Sequence, residues 1–267
     1  MTDLSSQAMS VPGRLGVHAR MQDGELRLDL VTSPPTLHHG VVRASVLSFL
    51  IDAVAGILLD QDPDVWTFTS DMSVRMRPLP APERIVAANA ILRRGRRSAT
   101  SRVELVAGDG RPVATGAIGF VNVPRKEGDP AKLIVRPDQA PALFGGMGTL
   151  ERALREEAGI EVLDAAEGVV QVDVTPALRN PAGTLQGAMV ALVAEAAAEE
   201  LVASRFGGPV VVVDLDLRYL AKATVGPVRT RSRLLGAGPD APVEVELVDR
   251  STDTVTTLVY ARAVAAP

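Results

Sequence analysis

The feature that most constrains this chain is that its second half can be laid over its first. GVHARMQDGELRLDL, from Gly16, matches GIEVLDAAEGVVQVDV, from Gly159. Both carry an acidic-glycine turn followed by strict alternation, Leu26, Leu28 and Leu30 against Val170, Val172 and Val174, which predicts a hairpin of half-buried strands. His39-Gly40 then aligns with Gln186-Gly187, and each glycine opens a long segment rich in Ala, Leu and Val. Its length and helix-forming residues predict a helix, and its apolar character on nearly all sides predicts a buried one. Further on, SDMSVRMRPL from Ser70 matches VDLDLRYLAK from Val213. Long strands follow in both copies, turning at Gly108-Asp109-Gly110 and at Arg250 to Asp253. A duplicated unit of this size sets the fold before any other property is weighed.

Each copy therefore reads as two strands, a buried helix and three or more strands. The class is α+β, an antiparallel sheet wrapped around a long central helix, since an apolar helix must be covered by another layer. NVPRKEGDPAKLIVRPDQAPALFGGMG, with four prolines and four glycines, separates the copies. The expected organisation is an N-terminal domain over 1–124, a linker over 125–148 and a C-terminal domain over 149–267, opened by the amphipathic LERALREEAG from Leu150.

This order of elements, with a glycine at the helix head and an acid within the helix, resembles the hotdog fold of acyl-CoA thioesterases. NPAGTLQGAMVALVAE is similar to the Asn-Pro-x-Gly-x-x-His-Gly-Gly pattern with a later acid found in the PaaI-like and 4-hydroxybenzoyl-CoA thioesterase families, and departs from it at Gln186 and Ala188. The resemblance covers nearly the whole chain twice. It implies a pseudo-two-fold double hotdog, hydrolysis of an acyl-CoA thioester, a place in fatty acid metabolism and no cofactor.

Thioester hydrolysis needs hydrogen-bond donors for the developing oxyanion and a base or nucleophile on the other side of the carbon. The free amides of a helix N-terminus suit the first task, which points to Gly40 and Gly187. An acid eight residues further on lies about 12 Å along the axis, too far to serve its own helix head. The two copies must therefore supply each other. Site one would combine Glu195, as base or nucleophile, and Glu199 with the amides of Gly40 and Val41 beside His39. Site two would combine Asn180, Gln186, Gly187 and Ala188 with the first helix, where the glycine-based count lands on Ser48 and Asp52 sits one turn out of register. Site one is the expected catalytic centre. The alanines at 196–198 are expected to leave room for a pantetheine arm or acyl chain.

Other readings stay open. Glu195 and Glu199 could be a solvated helix stripe, His38 and His39 could bond a helix backbone, and Asn180 before a proline could be a turn residue. The chain could instead be a catalytically degenerate acyl-CoA binding or regulatory protein; the hotdog hydratase pattern is not found around His38-His39. Arg93 to Arg97 could bind CoA phosphates or end an exposed strand, and Trp66 is expected in the core. With no cysteine and three histidines, disulfides, thiolate chemistry and a metal site are not expected. A net charge of −4 argues against nucleic acid, and the lack of a long uncharged apolar run argues for a cytoplasmic protein off the membrane. Its pairing of copies leaves a homo-oligomer possible.

Overall fold

A computed structural model describes residues 10–129, 131–145 and 148–267. Asp23 and Gly24 take left-handed φ angles of +52° and +79°, the twist that a two-residue hairpin turn requires. They join β1 (Val17–Gln22) to β2 (Glu25–Val31), and Leu26, Leu28 and Leu30 all point into the core. After α1 (Ala44–Leu59) come the long strands β3 (Val65–Met76), β4 (Arg84–Arg94), β5 (Ser98–Ala107) and β6 (Pro112–Pro124). The second half repeats the order with β7 (Glu161–Asp164), β8 (Val169–Val172), α2 (Gly187–Phe206), β9 (Val210–Tyr219), β10 (Val228–Leu234), β11 (Val243–Asp249) and β12 (Thr254–Ala265).

All these strands form one 12-stranded antiparallel sheet in the order β1-β2-β4-β5-β6-β3-β9-β12-β11-β10-β8-β7. The second half runs through the order of the first in reverse, so the halves meet edge to edge at β3 and β9. Met72 pairs there with Leu217 and Val74 with Leu215, while Ser73 faces Asp216, its own counterpart in the repeat. A residue that pairs with its counterpart marks the pseudo-two-fold. Both strands also bulge at matching places, between Thr69 and Asp71 and between Val212 and Asp214.

The sheet curls around α1 and α2, which also touch each other. Val46, Leu47, Leu50, Ile51 and Val54 of α1 are fully buried, and so are Leu192, Ala194, Ala196, Ala197 and Ala198 of α2. The alanine run thus does not open space for substrate, as its small side chains suggest. It lets α2 approach the sheet so closely that a Cβ on Gly168 would stand 2.9 Å from the Ala197 carbonyl oxygen. The same close approach occurs under α1, where a Cβ on Gly116 would lie 2.4 Å from Ile51 Cδ1.

The sequence reading errs at the start of α1. His39 and Gly40, at φ +48° and +77°, form the tip of a small hairpin between Leu37–His38 and Val41–Val42. The helix begins after the cap Arg43, whereas α2 begins directly after Gln186. Glycine therefore does different work in the two copies, a turn tip in one and a helix head in the other. Once the caps are matched, Arg43 corresponds to Gln186 and Ala44 to Gly187. Asp52 then corresponds to Glu195, each the ninth residue after its cap (43 to 52; 186 to 195). Asp52 is in register, and Ser48 is a buried helix residue whose hydroxyl donates to the Ala44 carbonyl at 2.9 Å.

The segment over 125–148 is more than a tether. Ala140–Gly145 forms a short helix with Ala140 and Phe144 buried. Lys132, its side chain only 1 % exposed, donates from Nζ to Asp60 Oδ1 and to the carbonyls of Asp62 and Val65, each at 2.6 Å. Trp66 is buried as expected, with its Nε1–H donating to Asp129 at 3.1 Å.

The tight seat of α1 has a measurable consequence. Gly116→Ala should destabilise the protein by about 1–3 kcal/mol through overpacking against Ile51. Ile51→Val, which withdraws the clashing methyl, should recover part of that loss when the two changes are combined. Denaturant titration of the single and double variants checks both.

Candidate functional site

Each helix head faces the middle of the other helix, which creates two related junctions. At the head of α1, Glu195 reaches across from α2 and caps it. Its Oε1 accepts from the Ala44 N–H at 2.8 Å, and its Oε2 accepts from the Ser45 N–H at 3.4 Å and from the Ser45 hydroxyl. Arg43 lies against both acids, 3.6 Å from Glu195 and 3.1 Å from Glu199. His38 Nε2 stands 3.4 Å from Glu199. Arg43, Glu195 and Glu199 are all nearly inaccessible to solvent.

This junction is filled. A carboxylate sits on the amides that a carbonyl oxygen would need, and a guanidinium occupies the remaining space. Burial, together with the negative charge of Glu195, pushes Glu199 up to about 8 against the opposing pull of Arg43. Desolvation and the neighbouring Arg43 push His38 down to about 3, so its imidazole is neutral.

At the head of α2 the same framework is open. Three cavities meet at Asp52 and Asn180. The first, about 260 Å³, is also lined by Thr69, Gln186, Gly187 and Tyr219. Asp52 is one methylene shorter than Glu195 and bonds sideways, accepting from the Thr69 hydroxyl at 2.7 Å. Burial raises its pKa, with the Thr69 bond acting in the opposite direction. Gln186 folds back so that its Oε1 accepts from the Ala188 N–H at 2.6 Å. The N–H of Gly187, counterpart of the Ala44 N–H that Glu195 occupies, makes no hydrogen bond among the described residues. Tyr219 closes one wall, donating to the Gly187 carbonyl at 3.2 Å, and burial and the nearby Asp52 keep its hydroxyl protonated.

Among the substitutions that separate the junctions are four on the cavity wall. Gln186 replaces Arg43, Asp52 replaces Glu195, Thr69 replaces Val212, and Asn180 replaces His38. The last pair follows from the matching bridges Leu37–Val42 and Arg179–Leu185. Asn180 is thus the counterpart of His38. Its Oδ1 accepts from the Thr184 N–H at 3.1 Å while the residue lines all three cavities.

No protein-family model matches this chain, and no curated protein matches its sequence. Solved structures do. The tesB protein of Mycobacterium avium subspecies paratuberculosis superposes with a TM-score of 0.64 at 14% identity, over 96% of this chain and 98% of that one. A protein described as a putative thioesterase II from Thermobifida fusca gives 0.62 at 16%, over 95% and 97%. A protein from Alicyclobacillus acidocaldarius, described as of unknown function with a hot dog fold, gives 0.59 at 13%, over 95% and 96%. The chain has the tandem hotdog fold.

Several residues that sequence reasoning assigned to a site do not meet in one. The hotdog halves bring Asp52, Asn180, Gln186 and Gly187 together at one junction and Glu195 and Glu199 at the other. His39 and Gly40 are exposed at their turn tip, and Val41, buried beside them, lines a separate small cavity with Met76, Leu79 and Pro80. Ala188 contributes its engaged N–H, with its side chain buried. Thr69 and Tyr219 escaped notice because both sit in alternating strand segments that read only as core and surface.

The filled junction predicts a pH dependence. Folded protein holds the Glu199 proton up to about 8, while an ordinary glutamate releases it near 4.5. At Glu199 the native state therefore binds the extra proton between those values, and the contribution of this residue to stability falls as pH rises through them, while His38, held neutral, works in the opposite direction below its ordinary 6.5. Glu199→Gln, whose amide oxygen still accepts from Arg43, should flatten that decline. Denaturation midpoints between pH 5 and about 8 compare the slopes.

Proposed function

We propose that the chain hydrolyses acyl thioesters, with acyl-CoA as the substrate, at the junction between Asp52 and the head of α2. The observation that carries this is one cavity lined both by Asp52, a carboxylate whose pKa burial raises, and by Gly187, whose helix-head N–H makes no hydrogen bond among the described residues. An acid of raised pKa is a stronger base, and a free amide at a helix N-terminus is a ready oxyanion donor. The thioesterase names of the similar structures agree with this chemistry.

The thioester carbonyl oxygen accepts from the Gly187 N–H, which turns the carbonyl carbon toward Asp52. Asp52 takes a proton from water as the water oxygen bonds to that carbon. The tetrahedral intermediate collapses by breaking the C–S bond, and the protonated Asp52 returns the proton to the departing sulfur. The products are a free acid and a free thiol. Thr69 holds the carboxylate in one rotamer, and the Asn180 amide, on the cavity wall, positions the water or the carbonyl. Lys222 lines the same cavity and offers a cation for a phosphate of the thiol carrier.

Glu195 acts in this scheme as the cap of α1 and not as the base. Asp52→Asn should lower kcat by about 1,000-fold with an unchanged fold. Glu195→Gln keeps a hydrogen-bonding side chain of the same length and should retain turnover while lowering stability. Thiol release from a panel of acyl-CoA and acyl-carrier-protein thioesters distinguishes the outcomes. Loss of activity in Glu195→Gln with Asp52→Asn still active would move the chemistry to the other junction. Ligand binding without turnover on any thioester would make the chain a binding protein.

A further inference from the structure

We propose that the acyl chain lies in the groove between α1 and the interdomain segment, so that this segment sets substrate length. The inference rests on the hydrolytic reading of the Asp52 junction and adds to it the place and chemistry of the acyl subsite. One of the cavities meeting at Asp52, about 240 Å³, runs along α1 past Ala53 and Gly56. Its far wall is Leu133, Val135, Leu143 and Phe144, all from the segment between the repeats. Ser10, Asp52, Arg179, Asn180 and Gln186 give the cavity a polar end, while the stretch between α1 and the interdomain segment is aliphatic and aromatic, suited to a hydrocarbon chain whose carbonyl end sits at Asp52.

Two further observations support the occupant. The wall is pinned: Lys132 is held by Asp60 and by two carbonyls, and Gln61 Nε2 donates to the Val135 carbonyl at 3.0 Å. These bonds tie the wall to the residues that directly follow α1, Asp60 to Val65, and so hold it against the groove. Gly56 is the second. A glycine inside a helix costs about 1 kcal/mol relative to alanine, yet a Cβ placed there would meet nothing within 4 Å. Packing therefore does not require it, and what its missing side chain provides is groove space. At the same position of α2, thirteen residues after the cap (43 to 56; 186 to 199), stands Glu199, whose side chain helps to fill the other junction.

The test is Gly56→Leu in the full chain. The change favours the helix and grows into open space, so the protein should fold at least as stably as the wild type. Acetyl, butyryl, hexanoyl and decanoyl thioesters are compared by kcat/KM. In parallel, calorimetry measures binding of the matching non-hydrolysable acyl-CoA thioethers. The ratio of decanoyl to acetyl kcat/KM should fall at least about tenfold in the variant, the scale set by losing several methylene contacts. Thioether affinity should fall in the same order of length. Lys132→Met, which releases the wall, should raise KM for decanoyl more than for acetyl. An unchanged length profile in Gly56→Leu, or an equal loss at every length, overturns the assignment while leaving hydrolysis standing. If no thioester is turned over but Gly56→Leu still selectively weakens the long thioether, hydrolysis fails and the groove stands.

Discussion

Everything functional in this structure depends on how two helix N-termini are satisfied. A helix head leaves amides without intrahelical partners, and burying one demands an acceptor from elsewhere. The antiparallel crossing of α1 and α2 presents each head with the middle turn of the other helix, where both copies carry an acid. With Glu195 the acceptor is the acid itself, and the α1 head is closed. With Asp52 the side chain falls short, Thr69 engages it from the side, and the α2 head keeps a cavity in front of it. One methylene group, supported by the Arg43-for-Gln186 difference, turns a structural cap into an open junction.

The sheet makes that crossing possible. Joining β3 to β9 edge to edge places the pseudo-two-fold between Ser73 and Asp216 and fixes both helices on one concave face. Close seating of α1 over Gly116 and of α2 over Gly168 then sets their depth, so that helix heads and acids meet at side-chain range.

Much of this was legible beforehand because period-two alternation and uninterrupted apolar segments leave few alternatives. Leu26, Leu28 and Leu30, the buried helices and the repeat offset between Ser70 and Val213 all follow from pattern. The junctions were also foreseeable as crossed pairs, because an acid two turns into a helix cannot reach its own head. Their contents were harder to read. Gly40 and Gly187 look alike in sequence, but φ angles of the kind found at His39-Gly40 belong to a turn, and only the cap residues show where a helix begins. Anchoring the repeat on glycine displaced Asp52 by one turn and made Ser48 look like a vacancy. Thr69 carried no signal at all, since a threonine in a strand is ordinary until its neighbour across the sheet is known. The proline- and glycine-rich segment between the copies read as a spacer because composition reports flexibility and says nothing about what Lys132 will bind.

Covalent tandem fusion also changes what substitution can do to such a site. In a symmetric pair of identical chains every change occurs twice, so closing one junction closes both, and any residue must be tolerable in two roles. Here Arg43, Glu195 and Glu199 could become a buried brace while Asp52, Asn180 and Gln186 stayed at a cavity, because the two helices are encoded separately. The closed junction is thus free to serve folding alone. Its counterpart can carry a half-buried acid beside a cavity at less cost to the whole.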